Sequence, residues 1–298
     1  MKTTSLLLAV ALLGAVAGAS AGTLEKARDA GKLTIGYLKD ARPFAYSDGG
    51  GGKPQGYNIA LCDKVADAVK AQLNLPALNV EYMALTAQDA IPAVQQGRVD
   101  LLCGAVPSLE RRAQVDFSIP VILTGTGAAV RADAPTRLVQ ALAGTTPSDR
   151  PVWRGSSDQA AQQVKVAVIG GIPLEKIVGS RLKERRIVAE VVPVKDADAG
   201  MELLASKGAD AFFFDRLLLL DAVSRSKSPG DLRVLDRLFQ RDFVSLAMRR
   251  DDDDFRLLVD RTLSRMYRSG EIAPIYGKYF GPPTGLALEI YDLIALPD

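Results

Sequence analysis

The chain of 298 residues contains no histidine. That absence excludes Ser-His-Asp and Cys-His catalysis and removes the commonest metal ligand. There are only two cysteines, Cys62 and Cys103, and no spacing of metal-ligating residues. Neither sign of charge is in excess: the formal net charge is +2, so nothing argues for nucleic acid or for a strongly charged membrane surface. No internal repeat or heptad array is present. No apolar run is long enough to span a bilayer.

What remains is ordinary globular material, 48% apolar and 24% charged. Its length suggests about two domains with ample cores. The N-terminus reads as a secretory signal over residues 1–21. Lys2 supplies the positive charge, Leu6 to Val16 the apolar run, and Ala19-Ser20-Ala21 the small-residue cleavage site. The mature chain is expected to start near Gly22. No cysteine sits at that site, so the product is expected to be soluble and exported, without a lipid anchor. In an oxidising compartment an even pair of cysteines suggests a disulfide. Cys62 lies at a predicted helix start and Cys103 at a strand end, and two buried free thiols are the alternative.

Strand and helix then alternate. Leu33–Tyr37 predicts a strand, followed by a hairpin or loop around the glycine-rich Gly49 to Gly52. Leu61, Val65, Val69 and Leu73 share one helical face. Leu78–Tyr82 is a strand, Thr86–Gln96 a helix ending at Gly97, and Val99–Cys103 a strand breaking at Gly104. Residues 144–163 are polar and rich in proline, glycine and serine. They predict a long surface loop with Trp153 as a local packing anchor. A second run follows: a strand at Val164–Ile169, a turn at Gly170-Gly171, a helix from Pro173, a strand at Ile187–Val194, a helix at Ala197–Lys207 and a strand at Ala211–Phe214. Phe243–Met248 is a last strand. The helix after it carries Phe255, Leu258, Leu263 and Met266. Its acidic start, Asp251 to Asp254, suits the helix dipole and needs no metal. This is an α/β pattern, with ligand sites expected beyond strand carboxyl ends.

The stretch Asp100–Pro120 carries the chemistry. A helix restarts at Ser108, a good N-cap residue, and puts Arg111 in the first turn, the wrong end of a helix dipole for a cation. Backbone N–H groups and a guanidinium would converge there on an anion, most simply a carboxylate. Pairing with Glu110 or Asp116, or plain solvation, is the competing reading. Asp215 also closes a strand, and N-capping of the next helix is its simplest role.

LTIGY and RPFAY near the start, GYNIALCDKVADAV, ERRAQVDFSIP, GADAFFFD and the closing GEIAPIYGKYFG resemble the periplasmic amino-acid-binding receptors of ABC importers, the solute-binding family 3 proteins. The resemblance implies a two-lobed periplasmic binding protein fold (type II) with a ligand cleft between the lobes. Two strands would cross, near Thr124–Arg131 and Arg241–Met248. Lobe 1 would comprise residues 22–130 and 243–298, and lobe 2 residues 131–242. It implies that Arg111 grips a ligand α-carboxylate and that Asp215 receives the α-ammonium. Tyr37 and Phe44 would line the cleft with ring faces. Gly104, Ala105 and Val106 would present backbone polar groups, and Gly171-Ile172 would form the lobe 2 turn. It implies a monomer that delivers a small-molecule ligand to a membrane ABC permease, with no cofactor, no metal and no nucleic acid.

Departures from the family pattern are specific. Val106-Pro107 stands where a hydroxyl is common, and Pro173 has no N–H to offer. Leu38 and Ala90 replace the arginines of glutamate and aspartate receptors. A neutral or apolar ligand side chain is therefore expected. Two other classes remain: an accessory protein with a degenerate pocket that serves a partner, and an enzyme using Asp215 as its acid–base group.

Overall fold

A computed structural model describes residues 22–47, 52–144, 164–184 and 187–297. The signal region, the glycine-rich turn and most of the polar 144–163 loop with Trp153 lie outside these residues. In chain order the elements begin α1 (Thr23–Ala30), β1 (Lys32–Leu38), β2 (Asp40–Ala41), β3 (Ala45–Tyr46), α2 (Tyr57–Leu73), β4 (Asn79–Leu85), α3 (Ala90–Gln95), β5 (Leu101–Ala105), α4 (Leu109–Arg112) and β6 (Asp116–Arg131). They continue with α5 (Thr136–Ala143), β7 (Val164–Ile169), α6 (Pro173–Glu184), β8 (Ala189–Val194), α7 (Ala197–Ala205), β9 (Ala211–Asp215), α8 (Arg216–Ser224), β10 (Leu232–Val234), β11 (Gln240–Met248), α9 (Asp253–Arg268), α10 (Ile272–Phe280) and α11 (Gly285–Ile294).

The main sheet runs β4-β1-β5-β11-β6-β9-β7-β8, with β10 on β6. Strands β4, β1 and β5 are parallel, as are β8, β7 and β9. Between these two parallel sets runs the antiparallel ribbon of β11 and β6, paired from Gln240↔Thr126 to Met248↔Asp116. It is longer than the crossings the sequence suggests, because β6 is one strand of 16 residues.

The inner strands of each set, β1, β5, β7 and β9, are buried on both faces, as parallel sheets require, while the edge strands β4 and β8 are partly exposed. In β5, Leu101 and Cys103 face one core with α2 and α9, while Leu102 faces another with Ile91 and Val94. In β9, Phe213 and Phe212 divide in the same way between two further cores. The two-residue side-chain period produces this division. α9, α10 and α11 pack on the first of these cores, so the chain's end completes the structure that its start begins.

Several boundaries move. β5 continues through Gly104 to Ala105 rather than breaking at Gly104. α3 starts at Ala90 rather than Thr86, because Thr86 to Asp89 form a hydrogen-bonded turn. β8 starts at Ala189 rather than Ile187. Cys62 sits inside α2, one full turn past its start, and is bonded to Cys103.

Candidate functional site

The two parallel sets aim their carboxyl ends at each other. At the end of β5, Ala105 stands opposite Ser245, which stands opposite Pro120 of β6. β9 runs the other way and its last residue, Asp215, stands opposite Thr126. The β6 segment from Pro120 to Thr126 thus floors a gap about 20 Å long at roughly 3.3 Å per residue. Crevices beyond strand carboxyl ends are where open α/β sheets hold ligands.

One wall is built from the end of β5. Gly104 has φ of +101°, and a Cβ there would lie 2.0 Å from Asn58 Nδ2 of α2. Only glycine lets the strand pass that close to the helix. Asn58 Nδ2 donates to the Cys103 carbonyl at 3.4 Å, and the Cys62–Cys103 bond ties the same strand to the same helix. Ser108 caps α4 by accepting the Arg111 backbone N–H at 3.1 Å, as its residue type predicts. α4 is a single turn, however, so Arg111 lies in its last turn as much as its first and dipole arguments lapse. Arg111 pairs with neither Glu110 nor Asp116. Its Nη1 donates to the Val106 carbonyl at 2.8 Å, and no carboxylate lies within 4.0 Å of it among the described residues. Burial pushes its pKa down, with the nearby Glu110 charge opposing. It is a half-buried guanidinium with most of its donors uncommitted.

Tyr37 and Phe44 are buried, at 6% and 5% exposure, within the core behind this wall. Phe44 packs on Phe280 with ring centroids 5.5 Å apart. Leu38, Met83, Ala90 and Ala105 share one apolar cluster beside β5.

The facing wall holds Asp215. Its Oδ2 accepts from Thr124 Oγ1 at 2.7 Å, and its Oδ1 accepts from the Leu217 and Leu218 N–H groups at 2.9 and 3.4 Å. The capping role is real and links α8 to the ribbon. Burial raises its pKa to about 6 against these three hydrogen bonds, with Asp242 adding to the rise. Asp242 sits opposite Thr124 on β11. Gly171 and Ile172 follow β7 on this wall. The Gly171 N–H is taken by Glu175 Oε2 at 3.1 Å, and the Ile172 side chain packs into the core with Ile169 and Leu204. Gln88, which follows β4, reaches across the gap and donates from Nε2 to the Gly170 carbonyl at 3.1 Å.

Four of these side chains escaped the sequence reading. Thr124 and Asp242 are polar residues inside strands expected to cross, and that contrast was the available signal. Gln88 and Glu175 carry no local pattern, since each matters only for what the other lobe or turn brings near.

The chain is similar, at 31% identity over 100% of its length and 95% of the relative's, to the L-glutamate/L-aspartate-binding protein of Pseudomonas aeruginosa. It is 28% identical to the glutamate/aspartate import solute-binding protein of Escherichia coli, covering 90% of this chain and 82% of that one. Among solved structures, an ancestral amino acid-binding protein that is a precursor of cyclohexadienyl dehydratase shares the fold. The TM-score is 0.68 at 23% identity, over 87% of this chain and all of that one. An ancestral arginine-binding protein bound to glutamine gives a TM-score of 0.66 at 24% identity, over 84% and 98%. Residues 33–282 match the bacterial extracellular solute-binding proteins, family 3. With its two parallel strand sets facing across a ribbon, the chain belongs to that family.

Proposed function

We propose that the protein is a monomeric periplasmic receptor that closes its two lobes on an amino acid and delivers it to a membrane ABC permease. The observation that carries this reading is the polarity of the gap: a guanidinium with most of its donors uncommitted, Arg111, on one wall and a half-buried carboxylate, Asp215, on the other. Strands β5 and β9 are separated by two intervening strands, about 14 Å at roughly 4.8 Å per step. Side chains reaching inward from both can hold the two poles of a zwitterion. Gly104, Ala105 and Val106 contribute backbone polar groups beside Arg111. Gly171 contributes its carbonyl, because Glu175 holds its amide, and Ile172 contributes its N–H, because its carbonyl accepts the Glu175 N–H at 3.2 Å. Tyr37 and Phe44 support the wall from behind. Residues 1–21 serve as the export signal, lobe 1 spans 22–130 and 243–298, and lobe 2 spans 131–242.

The relatives named for glutamate and aspartate do not settle the ligand here. Leu38 and Ala90 join Met83 and Ala105 in an apolar cluster, which offers a ligand carboxylate no partner. A buried unpaired charge would cost several kcal/mol, so the preferred ligand carries a neutral or apolar side chain. Asp215, held by three hydrogen bonds, is assigned to binding rather than to acid–base turnover.

A thermal-shift screen of the twenty amino acids tests the reading, since a bound ligand must raise stability by mass action. Neutral amino acids are expected to raise the melting temperature more than glutamate or aspartate. Arg111→Ala should abolish the shift while leaving the unliganded melt nearly in place, because it loses only one hydrogen bond, about 1 kcal/mol. No shift with any amino acid at millimolar concentration would sink the proposal.

A further inference from the structure

Helix α1 begins against a carboxylate from the far end of the chain. Asp252 precedes α9, yet its side chain caps no residue of that helix. It is buried, at 6% exposure, and its Oδ2 accepts the Thr23 backbone N–H at 2.7 Å. Its Oδ1 lies 3.2 Å from where a Cβ on Gly22 would stand. Among the described residues no donor reaches Oδ1, and the nearest cation, Arg249 Nη2, is 3.7 Å from Oδ2. A carboxylate with one backbone donor on Oδ2 and no protein donor on Oδ1 among the described residues has room for another donor. Gly22 is also where Ala19-Ser20-Ala21 ends the export signal.

We propose that cleavage after Ala21 creates an α-ammonium at Gly22 that closes on Asp252 Oδ1, so that processing itself locks α1 onto α9. The proposal rests on the export-signal reading above. A protease of the export machinery hydrolyses the Ala21–Gly22 peptide bond. Water supplies a hydroxyl to the Ala21 carbonyl carbon and a proton to the Gly22 nitrogen; the new carboxyl group then gives up a proton and the amine takes one up, so that both new ends are charged at neutral pH. Before cleavage the Gly22 nitrogen is an amide and carries no charge. A free ammonium at a helix N-terminus opposes the helix dipole, so without an acid the mature end would weaken α1. Asp252 reverses that sign, taking Thr23 N–H on one oxygen and the ammonium on the other. The unprocessed chain lacks this pair and folds less stably, which suits a polypeptide that must cross a membrane.

The other charged groups near this end are accounted for. On α1, Glu25 is exposed in the first turn and Lys26 is engaged with Asp100 at 2.7 Å. On the segment leading into α9 are Arg249 and Asp251; Asp253, which Arg256 holds, and Asp254 begin the helix. An ammonium paired with Asp252 has its pKa raised above the free value of about 8. Its stabilisation is therefore complete below that value and is lost as pH rises through the folded one.

The test compares thermal unfolding of a chain starting at Gly22 with one starting at Ala21. At pH 7 the Gly22 chain is expected to melt about 3–6 °C higher. The gap should close at pH 10.5 and should be missing when both chains carry Asp252→Asn. Equal melting at pH 7, or a gap that persists at pH 10.5, overturns the proposal; the pH comparison decides even if the Asp252→Asn chains fail to fold. Intact mass of the exported protein separates the two ideas. A start elsewhere than Gly22 removes both the processing reading and the clamp, whereas a Gly22 start with equal melting removes the clamp alone.

Discussion

Asp215 has two jobs that conflict. As the cap of α8 and partner of Thr124 it orders the lobe junction, but burial lifts its pKa to about 6. A carboxyl group whose folded value is raised above the unfolded value of about 3.9 contributes stability that is present below pH 4 and lost as pH rises through 6. At neutral pH the unliganded protein is strained by holding the anion, by about 2–3 kcal/mol at most. Asparagine caps helices as well as aspartate does. Asp215→Asn should therefore raise the melting temperature of the unliganded protein at pH 7, with no gain near pH 4, and should lose ligand binding. A ligand ammonium stabilises the anion, so wild-type affinity should fall as pH drops below about 6. Melting scans across pH 4–8 and calorimetric titrations check both statements, and an Asp215→Asn variant less stable at pH 7 would refute this account. Asp215 was legible from the sequence as a strand-closing acid. Its raised pKa was not, because the burial that causes it, the opposing Thr124 hydrogen bond and the Asp242 charge that adds to it all depend on strands brought together by the fold.

Among the elements, the pairing of β5 with α2 sets the position of the Arg111 wall. The Cys62–Cys103 bond closes a separation of 41 residues, and a loop of that size is worth about 4 kcal/mol in the chain-entropy view. Gly104 and Asn58 bring the same strand and helix to their closest approach. Reduction, or paired Cys62→Ser and Cys103→Ser substitution, should lower stability by about 2–4 kcal/mol. It should also weaken ligand binding, because the β5–α4 loop loses its anchor. Chemical denaturation and ligand titration in oxidised and reduced protein measure this, and unchanged affinity after reduction would separate the disulfide from the site. The helix, the strand and the cysteine pair could each be read from periodicity and count. The disulfide expected of that pair already joined the helix to the strand; the place of β5 beside β1 and β11, rather than beside its sequence neighbours, could not be read.

For the whole molecule, closure turns on contacts that span the gap. The Gln88 to Gly170 hydrogen bond joins the loop after β4 to the turn after β7 across the gap. On the lobe-closure reading proposed above, a bond across the gap belongs to the closed side of an open–closed equilibrium. One such bond contributes about 1 kcal/mol. Gln88→Ala should speed ligand release about fivefold with little change in association rate, and stopped-flow binding would show it. An unaltered release rate would mean that Gln88 is incidental to closure.

Local chemistry wrote much of this protein directly into its sequence: the alternation of strands and helices, the Ser108 cap, the even cysteine pair, the acid and base at strand ends, and the export-signal pattern. Apart from the cysteine pair, which is read by count, each of these depends on neighbours within a turn or two of chain. The tertiary structure alone decided that the two strand sets face each other, that Tyr37 and Phe44 sit behind the wall, that Glu175 occupies the Gly171 amide and that Asp252 waits at the start of α1. Those facts join residues up to 229 positions apart, and the burial and hydrogen bonding that give them meaning exist only once the chain has folded each lobe and joined them through β6 and β11.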